Sequence, residues 1–514
     1  MYSGIVRCGC WLGGTDALGS YRVLRMACRR RSGIVPLKTA HSGLLVKSNM
    51  RYRSLNTPEH FCKDLAAYAN LVGGDYLPAL KRLGDGLNHK GYVTEIDDLR
   101  YSLELELFNL EVKRQRVNGR FPFVPIQVHE ATDFVIGVGQ TIPHLSEKAK
   151  KDLQSEIIGR IKHKEGLRSL QHEFRIAGRL SQSDYDVTFA DREGGEGGFD
   201  FLAERNGEAF EVEGKCVPAF LGQAVLPEDA EIFFLALAKR FRGWSDETSI
   251  PILAIKLTKK LDTNQAMISK LIEACDRAAL TRGTEMIEGY AAVTFVNAAP
   301  KTDAEKLFET MQIDSAASWS NVFLSQGKPQ VAVRLESERS SRFVRSVLDT
   351  LSDSAKRQFS GNRPGALWLH IDYLPPVMFD ALANAQAGAS FLDLLALAVL
   401  NSPKRSHLCQ IIFSGGAHLA RTGTTARSGF RKVVYDSPCC RFGNARLFPP
   451  NKTIEPSQAM EGSKAKTLLA EANLRFRIAA GPKETFSVAQ RQLMQRYAMS
   501  TDVIERRIAA TGLF

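Results

Sequence analysis

The sequence has 514 residues, of which 44% are hydrophobic and 24% charged, a composition typical of a globular protein with about two to four domains. Its nine cysteines and ten histidines include no CxxC pair and no HExxH motif, which argues against common zinc sites and a disulfide scaffold and favours a reducing compartment. The formal net charge is +12, but most of it lies at one end of the chain.

Residues 1–58 form a basic leader with ten Arg or Lys side chains and one acid, which gives it +9 and leaves only +3 for the remaining residues. Any polyanion site in the body must therefore be a local patch. Three interpretations of the leader stay open: an organellar transit peptide, a disordered extension, or residues upstream of a later start at Met26 or Met50. We expect a cytoplasmic protein, with import through the leader as the alternative.

Residues 59–145 are predicted to form a mostly helical module. The stretches HFCKDLAAYANLV and EIDDLRYSLELELFNLEVKRQ carry apolar residues at three- and four-residue spacing, as amphipathic helices do. The segment 121–143 is interrupted by prolines and receives no element. Two further helices are predicted at 146–164 and 166–180.

The period then changes from that of helices to that of strands. Three short strands are predicted at 185–190, 199–205 and 209–217, with Asn206-Gly207 as a hairpin turn between the last two. A helix at 229–244 and a strand at 250–257 are expected to complete an αβββαβ order. The glycine-rich stretch before the second strand, Gly194 to Gly198, lacks the Lys-Ser or Lys-Thr of a phosphate-binding loop, so we interpret it as a connector.

The third strand, AFEVEGKCV, alternates between two kinds of side chain. Glu211, Glu213 and Lys215 fall on one face, while the other face can pack on a helix. The hairpin brings Asp200 towards Glu213 and Lys215. Two carboxylates and an ammonium group converging in this way suit hydrolysis of a phosphodiester with the help of Mg²⁺.

An acid on the preceding helix adds to this group. Glu173 lies in the apolar stripe of GLRSLQHEFRIAGRL. A lone buried carboxylate is costly, so we expect Glu173 to have a metal ion, a lysine or a hydrogen-bond partner there, and Lys215 or a bound metal ion would meet this need.

The order of Glu173, Asp200 and Glu213-Gly214-Lys215 resembles the PD-(D/E)xK, or restriction-endonuclease-like, nuclease superfamily over roughly residues 146–257. The resemblance implies a mixed central sheet flanked by helices and one or two Mg²⁺ ions, with Mn²⁺ as a substitute. It also implies that Asp200 and Glu213 hold the metal, that Lys215 is the catalytic lysine and that Glu173 is the accessory acid. Phe199 replaces the proline of the motif, and Glu211 is a second candidate for the strand ligand.

The expected fold class is α/β, with the helical module at 59–145 and a nuclease-like core at 146–260. An additional α/β region, a linker and a helical tail follow at 261–448, 449–485 and 486–514. The tail is interpreted as a helix that docks on the body or as a DNA-binding helix-turn-helix. His370 and Asp372 would share a face of one strand, as an auxiliary site or as an ordinary buried pair.

These observations predict a Mg²⁺-dependent phosphodiesterase that hydrolyses nucleic acid. DNA is preferred over RNA as the substrate, and endonuclease over exonuclease action. Because the body carries little net charge, we expect either a small basic groove or a partner protein that delivers the substrate. The alternative is an inactive nuclease-like module that binds nucleic acid or a partner protein. No membrane association is expected, because the longest apolar stretch, FLDLLALAVL at 391–400, is too short to span a bilayer and is predicted to be a buried helix.

Overall fold

The chain forms two mixed β-sheets flanked by α-helices, so the α/β class is confirmed. The structure, a computed structural model, describes residues 57–452, all within one compact unit, Ser48–Phe514. The gaps in the description are 89–91, 95–101, 123–128, 163–165, 194–197, 219–220, 223, 242–243, 245–248, 301–317, 326–327, 339–341, 373, 375, 385–389, 416–418, 423–424 and 429. The leader up to residue 56, the helical tail, most of the linker and residues 301–317 of the additional α/β region lie outside the described residues.

The helices confirm most of the sequence predictions. They are α1 (Pro58–Val72), α2 (Tyr76–Asn88), α3 (Ser102–Arg116), α4 (His129–Thr141), α5 (Glu147–Lys162), α6 (Arg168–Gln182), α7 (Pro227–Leu237), α8 (Gln265–Thr281), α9 (Phe343–Arg357), α10 (Pro376–Ala383) and α11 (Phe391–Leu400). Among the helices in the described part of the chain, none combines the length and apolar character needed to cross a membrane.

The strands follow the same chain order. They are β1 (Tyr92–Thr94), β2 (Asp186–Phe189), β3 (Phe201–Arg205), β4 (Glu208–Pro218), β5 (Ser249–Leu257), β6 (Thr284–Ile287), β7 (Ala291–Pro300), β8 (Ser318–Ser325), β9 (Lys328–Ser337), β10 (Gly365–Asp372), β11 (Leu408–Gly415), β12 (Leu419–Thr422), β13 (Thr425–Ser428) and β14 (Arg431–Asp436). Among the strands of the described residues, β12 and β13 pair only with each other.

The first sheet has the order β14-β11-β10-β4-β3-β2. β4, β10 and β11 are parallel, and the remaining neighbours are antiparallel. Helices α1 to α6 lie on one face in a single apolar cluster with Phe210 and Val212 of β4, and α6 packs directly on β4 and β2. Helices α9 to α11 pack on the other face, against Leu367 and Leu369 of β10. The parallel strands are therefore covered by helices on both sides, as buried parallel sheets generally are.

The second sheet corrects one prediction. The strand predicted at 250–257 is present as β5, but it lies in a separate sheet with the order β1-β8-β9-β5-β7-β6. Helices α7 and α8 cover one face of this sheet. The strand that adjoins β4 is β10, more than a hundred residues later in the chain. The segment from α7 to β9 is thus inserted between β4 and the helix and strand, α9 and β10, that continue the first sheet.

The sequence analysis also missed helix α4, which lies within the proline-interrupted segment. Its glycines disfavour a helix in isolation. In the structure they permit close packing: a Cβ on Gly137 would lie 2.8 Å from Cβ of Phe174, and one on Gly139 would lie 2.5 Å from the backbone oxygen of Asp64. Tertiary packing against α1 and α6 therefore outweighs the local propensity.

Candidate active site

The β3–β4 hairpin brings the predicted strand residues together. Asn206 and Gly207 adopt φ values of 52° and 84°, and Arg205 pairs with Glu208 across the turn, as expected for a two-residue hairpin. The same register pairs Phe201 with Val212, so the residue before β3, Asp200, comes next to Glu213. The predicted proximity of these two acids is confirmed, since the charge of the Glu213 carboxylate contributes to raising the pKa of Asp200.

Gly214 fixes the side chain of Asp200. Its backbone N–H donates a hydrogen bond to Oδ2 of Asp200 at 2.7 Å. A Cβ at this position would lie 2.5 Å from Cδ1 of Ile176 on α6 and 3.3 Å from the same Asp200 oxygen. The glycine between Glu213 and Lys215 therefore allows the strand, the helix and the carboxylate to meet closely.

Glu213 is the most buried acid of the group, with 0% of its surface exposed. It forms an ion pair with the ammonium group of Lys215, whose side chain is 31% exposed. Burial raises the pKa of Glu213, and the attraction of Lys215 offsets this only in part. For Lys215, burial lowers the pKa, but the nearby Glu213, Asp200 and Glu173 outweigh it and raise the pKa above its ordinary value. The ammonium group therefore stays charged.

Asp200 is half-buried. Burial and the neighbouring Glu213 carboxylate raise its pKa above the ordinary value, against the hydrogen bond from Gly214 and the charge of Lys215. Two adjacent carboxylates with raised pKa values indicate a site with too little positive charge. Such a site retains protons near neutral pH or attracts a cation.

Glu173 projects from α6 near Asp200, and its ion-pair partner is an arginine that the sequence does not single out. The carboxylate bonds to Nη2 of Arg192 at 2.9 Å, whereas Lys215 pairs with Glu213. Burial raises the pKa of Glu173 to about 7, with Arg192 opposing the rise and Asp200 adding to it. The hydrogen-bond partner expected for this acid is therefore present, and it is Arg192. The arginine offsets the cost of burial in part, since the pKa of Glu173 stays raised.

Glu211, the second candidate ligand on β4, is held by other groups. Its carboxylate accepts a hydrogen bond from the backbone N–H of Ser360 at 2.8 Å and another from the Ser360 hydroxyl. Nη1 of Arg363 lies 3.7 Å away. The side chain is fully buried, and it anchors the connection between α9 and β10. Of the two strand acids, Glu213 is the one next to Asp200.

The charged side chains of β4 and the adjoining Asp200 are not equally exposed. Glu213 is fully buried, and Asp200 and Lys215 are the half-exposed members of the group. A ligand therefore has access to this group past Asp200 and Lys215.

The side chains of the site suit a single hard cation that keeps part of its water shell better than a site in which the protein supplies every ligand. Among the described residues, no group of three or more His, Cys, Asp or Glu side chains is arranged to hold a metal ion. Mg²⁺ commonly binds through one or two carboxylates and keeps several waters. Asp200 and Glu213 supply two such carboxylates, and Glu213 is fully buried with Lys215 as its ion-pair partner. The residues present therefore fit a Mg²⁺ ion.

Three residues of this region were missed by the sequence analysis. Arg192 and Asp191 lie in the turn after β2, and Glu156 lies on α5. Arg192 bonds to Glu156 at 2.8 Å as well as to Glu173. Asp191 adds negative charge near both Asp200 and Glu173. These residues belong to no spacing motif, so only the folded arrangement identifies them.

The predicted pair on β10 is present in a second buried group. Nε2 of His370 lies 3.9 Å from Asp372, and its Nδ1 lies 3.1 Å from the Ser414 hydroxyl. His172 stacks on His370 with ring centroids 4.9 Å apart, and Arg168 lies 3.8 Å from Asp372. His370 and Asp372 are 2% and 4% exposed, so these contacts fit an internal polar network.

Comparison of the chain with protein-family models, curated proteins and solved structures finds no match.

Proposed function

We propose that the protein is a Mg²⁺-dependent nuclease with a restriction-endonuclease-like core, acting on DNA in preference to RNA and as an endonuclease. The observation that carries the proposal is the convergence of Asp200, Glu213 and Lys215 at the start of the β3–β4 hairpin. A carboxylate pair beside a charged lysine suits the hydrolysis of a phosphodiester, in which negative charge accumulates on the phosphate.

The path of the chain supports the core assignment. Helix α6 leads into the meander β2-β3-β4, and β10, which follows helix α9, lies parallel to β4. This is an αβββαβ order with the segment from α7 to β9 inserted before its last two elements. The catalytic group lies where β3 begins and at the middle of β4, both of which the sheet holds in fixed register.

Each residue has a distinct role in the proposed reaction. Asp200 and Glu213 would hold one Mg²⁺ ion, which supplies charge stabilisation at the phosphate and lowers the pKa of a bound water. Because Lys215 stays charged, we assign it to orienting the attacking water and the phosphate oxygen, not to removing a proton. Gly214 holds Asp200 in place through its N–H group.

Basic residues near the group would bind the substrate backbone. Lys356 and Arg357 are exposed in the last turn of α9. The next residue, Gln358, accepts a hydrogen bond from the N–H of Gly198 at 3.0 Å, and Gly198 lies two positions before Asp200. Because the body of the chain has little net charge, this local patch is where phosphate contacts are expected.

The test uses the full-length chain and the variants Lys215→Ala and Lys256→Ala. Lys256 is an exposed lysine on β5, in a surface ion pair with Glu338, and serves as the control. Each protein is incubated with supercoiled DNA, single-stranded DNA and RNA, in Mg²⁺ and in chelator. We expect cleavage that requires Mg²⁺, is lost in Lys215→Ala and persists in Lys256→Ala.

Two other outcomes would contradict the proposal. If wild type and Lys215→Ala bind nucleic acid equally and neither cuts, the protein is a binding module that uses a nuclease-like fold. If neither binds nor cuts any of the three substrates, the resemblance does not extend to function.

A further inference from the structure

Arg192 is a buried arginine placed between two carboxylates at the edge of the proposed active site. Its side chain is 6% exposed, and its two terminal nitrogens bond to Glu156 on α5 at 2.8 Å and to Glu173 on α6 at 2.9 Å. A guanidinium group is planar, always charged and suited to bridging two acids. The position of Glu173 is therefore fixed by a permanent cation of the protein itself.

The net charge of the side chains around the site can be neutralised by one divalent cation. Five acids influence one another here, namely Glu156, Glu173, Asp191, Asp200 and Glu213. Three cations are paired with them, namely Arg160, Arg192 and Lys215. With every group ionised, five negative and three positive charges sum to −2. One divalent ion neutralises this sum, whereas two would leave an excess of +2.

We propose that Arg192 takes the charge role of a second metal ion, so that the site holds a single divalent cation on Asp200 and Glu213 and Glu173 does not coordinate it. This inference rests on the proposed function. It differs from the role suggested by the sequence resemblance, in which Glu173 orients or completes the metal site. Arg192 and Glu173 then act as positioning residues, which hold the helix and the turn after β2 beside the metal ligands.

The experiment counts bound ions in the full-length chain, using Mn²⁺ as the probe. Isothermal titration gives the number and affinity of ions, and electron paramagnetic resonance detects coupling between two adjacent Mn²⁺ ions. The double variant Asp200→Asn/Glu213→Gln supplies the baseline for binding elsewhere on the protein. The test variants are Glu173→Gln, Arg192→Lys and Arg192→Met, with Glu156→Gln as the matched control for a partner of Arg192. Thermal unfolding checks that each variant is folded.

We expect wild type to bind one Mn²⁺ more than the baseline variant, without coupling between ions. Glu173→Gln and Glu156→Gln should both weaken this ion less than tenfold, because neither removes a ligand. Arg192→Lys keeps the charge and should still bind one ion. Arg192→Met, if folded, should gain a second ion coupled to the first.

The inference would be overturned by two coupled ions in wild type, or by a loss of tenfold or more in Glu173→Gln that Glu156→Gln does not share. Either result would leave the proposed function intact. If wild type binds no more Mn²⁺ than the baseline variant, the metal-dependent function itself fails, and the inference with it.

Discussion

The backbone N–H of Gly214 donates a hydrogen bond to Oδ2 of Asp200 at 2.7 Å, which ties the start of β3 to the middle of β4. The contact depends on the missing side chain at position 214. A Cβ there would lie 2.5 Å from Cδ1 of Ile176 and 3.3 Å from the carboxylate. The glycine of the Glu-Gly-Lys sequence thus shapes the site although it carries no functional group.

Gly214→Ala should therefore destabilise the protein by roughly 1–3 kcal/mol, the usual effect of overpacking, and displace Asp200. Ile176→Val removes the atom that would clash, so the double variant Gly214→Ala/Ile176→Val should recover part of the loss. Chemical denaturation measures the free energy of unfolding of the two single variants and the double variant. If the two changes are simply additive, Ile176 is not the group that requires glycine at this position.

The free energy of unfolding should depend on pH through Glu173, because burial raises the pKa of this carboxyl to about 7. The pKa of Glu173 in the folded protein exceeds the ordinary value of 4.5. The contribution of this carboxyl to the stability of the fold is therefore greatest below about pH 4.5. That contribution is lost as the pH rises through 7. Glu173→Gln cannot ionise, so it should be more stable than wild type by roughly 1–3 kcal/mol at pH 8 in chelator.

The same comparison at low pH is the control. Near pH 4.5 the wild-type carboxyl is protonated in the folded state, so the stability difference between Glu173→Gln and wild type should shrink towards zero. Chemical denaturation at a series of pH values measures it. A difference that does not change between pH 4.5 and pH 8 would show that Glu173 is ionised throughout and that the Arg192 ion pair outweighs burial.

Local patterns in the sequence were sufficient to predict the hairpin that carries the site. Alternating side chains identify strands because the period of a strand is fixed at two, and Asn206-Gly207 matches the backbone twist of a tight hairpin turn. Asp200, Glu213 and Lys215 were therefore predicted to meet without knowledge of the tertiary structure. The capping box at the start of α11, in which Ser390 and Asp393 bond to each other's backbone N–H, likewise explains the acid within that apolar stretch.

Relationships between distant segments could not be predicted in this way. β5 and β10 are both short apolar strands, and only pairing shows that β10 and not β5 lies next to β4. Arg192 became a partner of Glu173 because two helices and a turn meet there. An ion pair is decided by distance in the folded protein, which a charge pattern along the chain does not contain.

Mg²⁺ binding should release protons and grow stronger as the pH rises. Burial raises the pKa values of Asp200 and Glu213, so part of the free protein is protonated near neutral pH, and a metal ion must displace those protons. Isothermal titration in two buffers of different ionisation enthalpy measures the release directly. An apparent enthalpy independent of the buffer, with equal affinity at pH 6 and pH 8, would exclude these two acids as the ligands.

The basic patch on α9 should control binding to nucleic acid. Lys356→Glu/Arg357→Glu removes two candidate phosphate contacts, which should weaken DNA binding and reduce the slope of log affinity against log salt by about 2. Lys239→Glu/Arg240→Glu is the matched control, since this exposed Lys-Arg pair follows α7 beside the second sheet. Fluorescence anisotropy at several salt concentrations measures both. Equal losses in the two double variants would mean that only total charge matters.

Substitution of Glu211 and of Glu213 should have different effects, because Glu211 stabilises the fold whereas Glu213 is the proposed metal ligand. Glu211→Gln weakens the bonds to Ser360 and the ion pair with Arg363, so it should destabilise the protein by roughly 1–3 kcal/mol. Mg²⁺ affinity should be almost unchanged. Glu213→Gln should show the reverse, with little loss of stability in chelator and a loss of Mg²⁺ binding of tenfold or more.

Denaturation in chelator and Mg²⁺ titration of each variant measure these two properties. The contrast follows from what surrounds each carboxylate, because hydrogen bonds and an arginine already compensate Glu211, whereas Glu213 is buried with Lys215 as its ion-pair partner. If Glu211→Gln loses Mg²⁺ binding and Glu213→Gln keeps it, the metal ligand is the earlier strand acid, and the site must rearrange on binding to release it from Ser360.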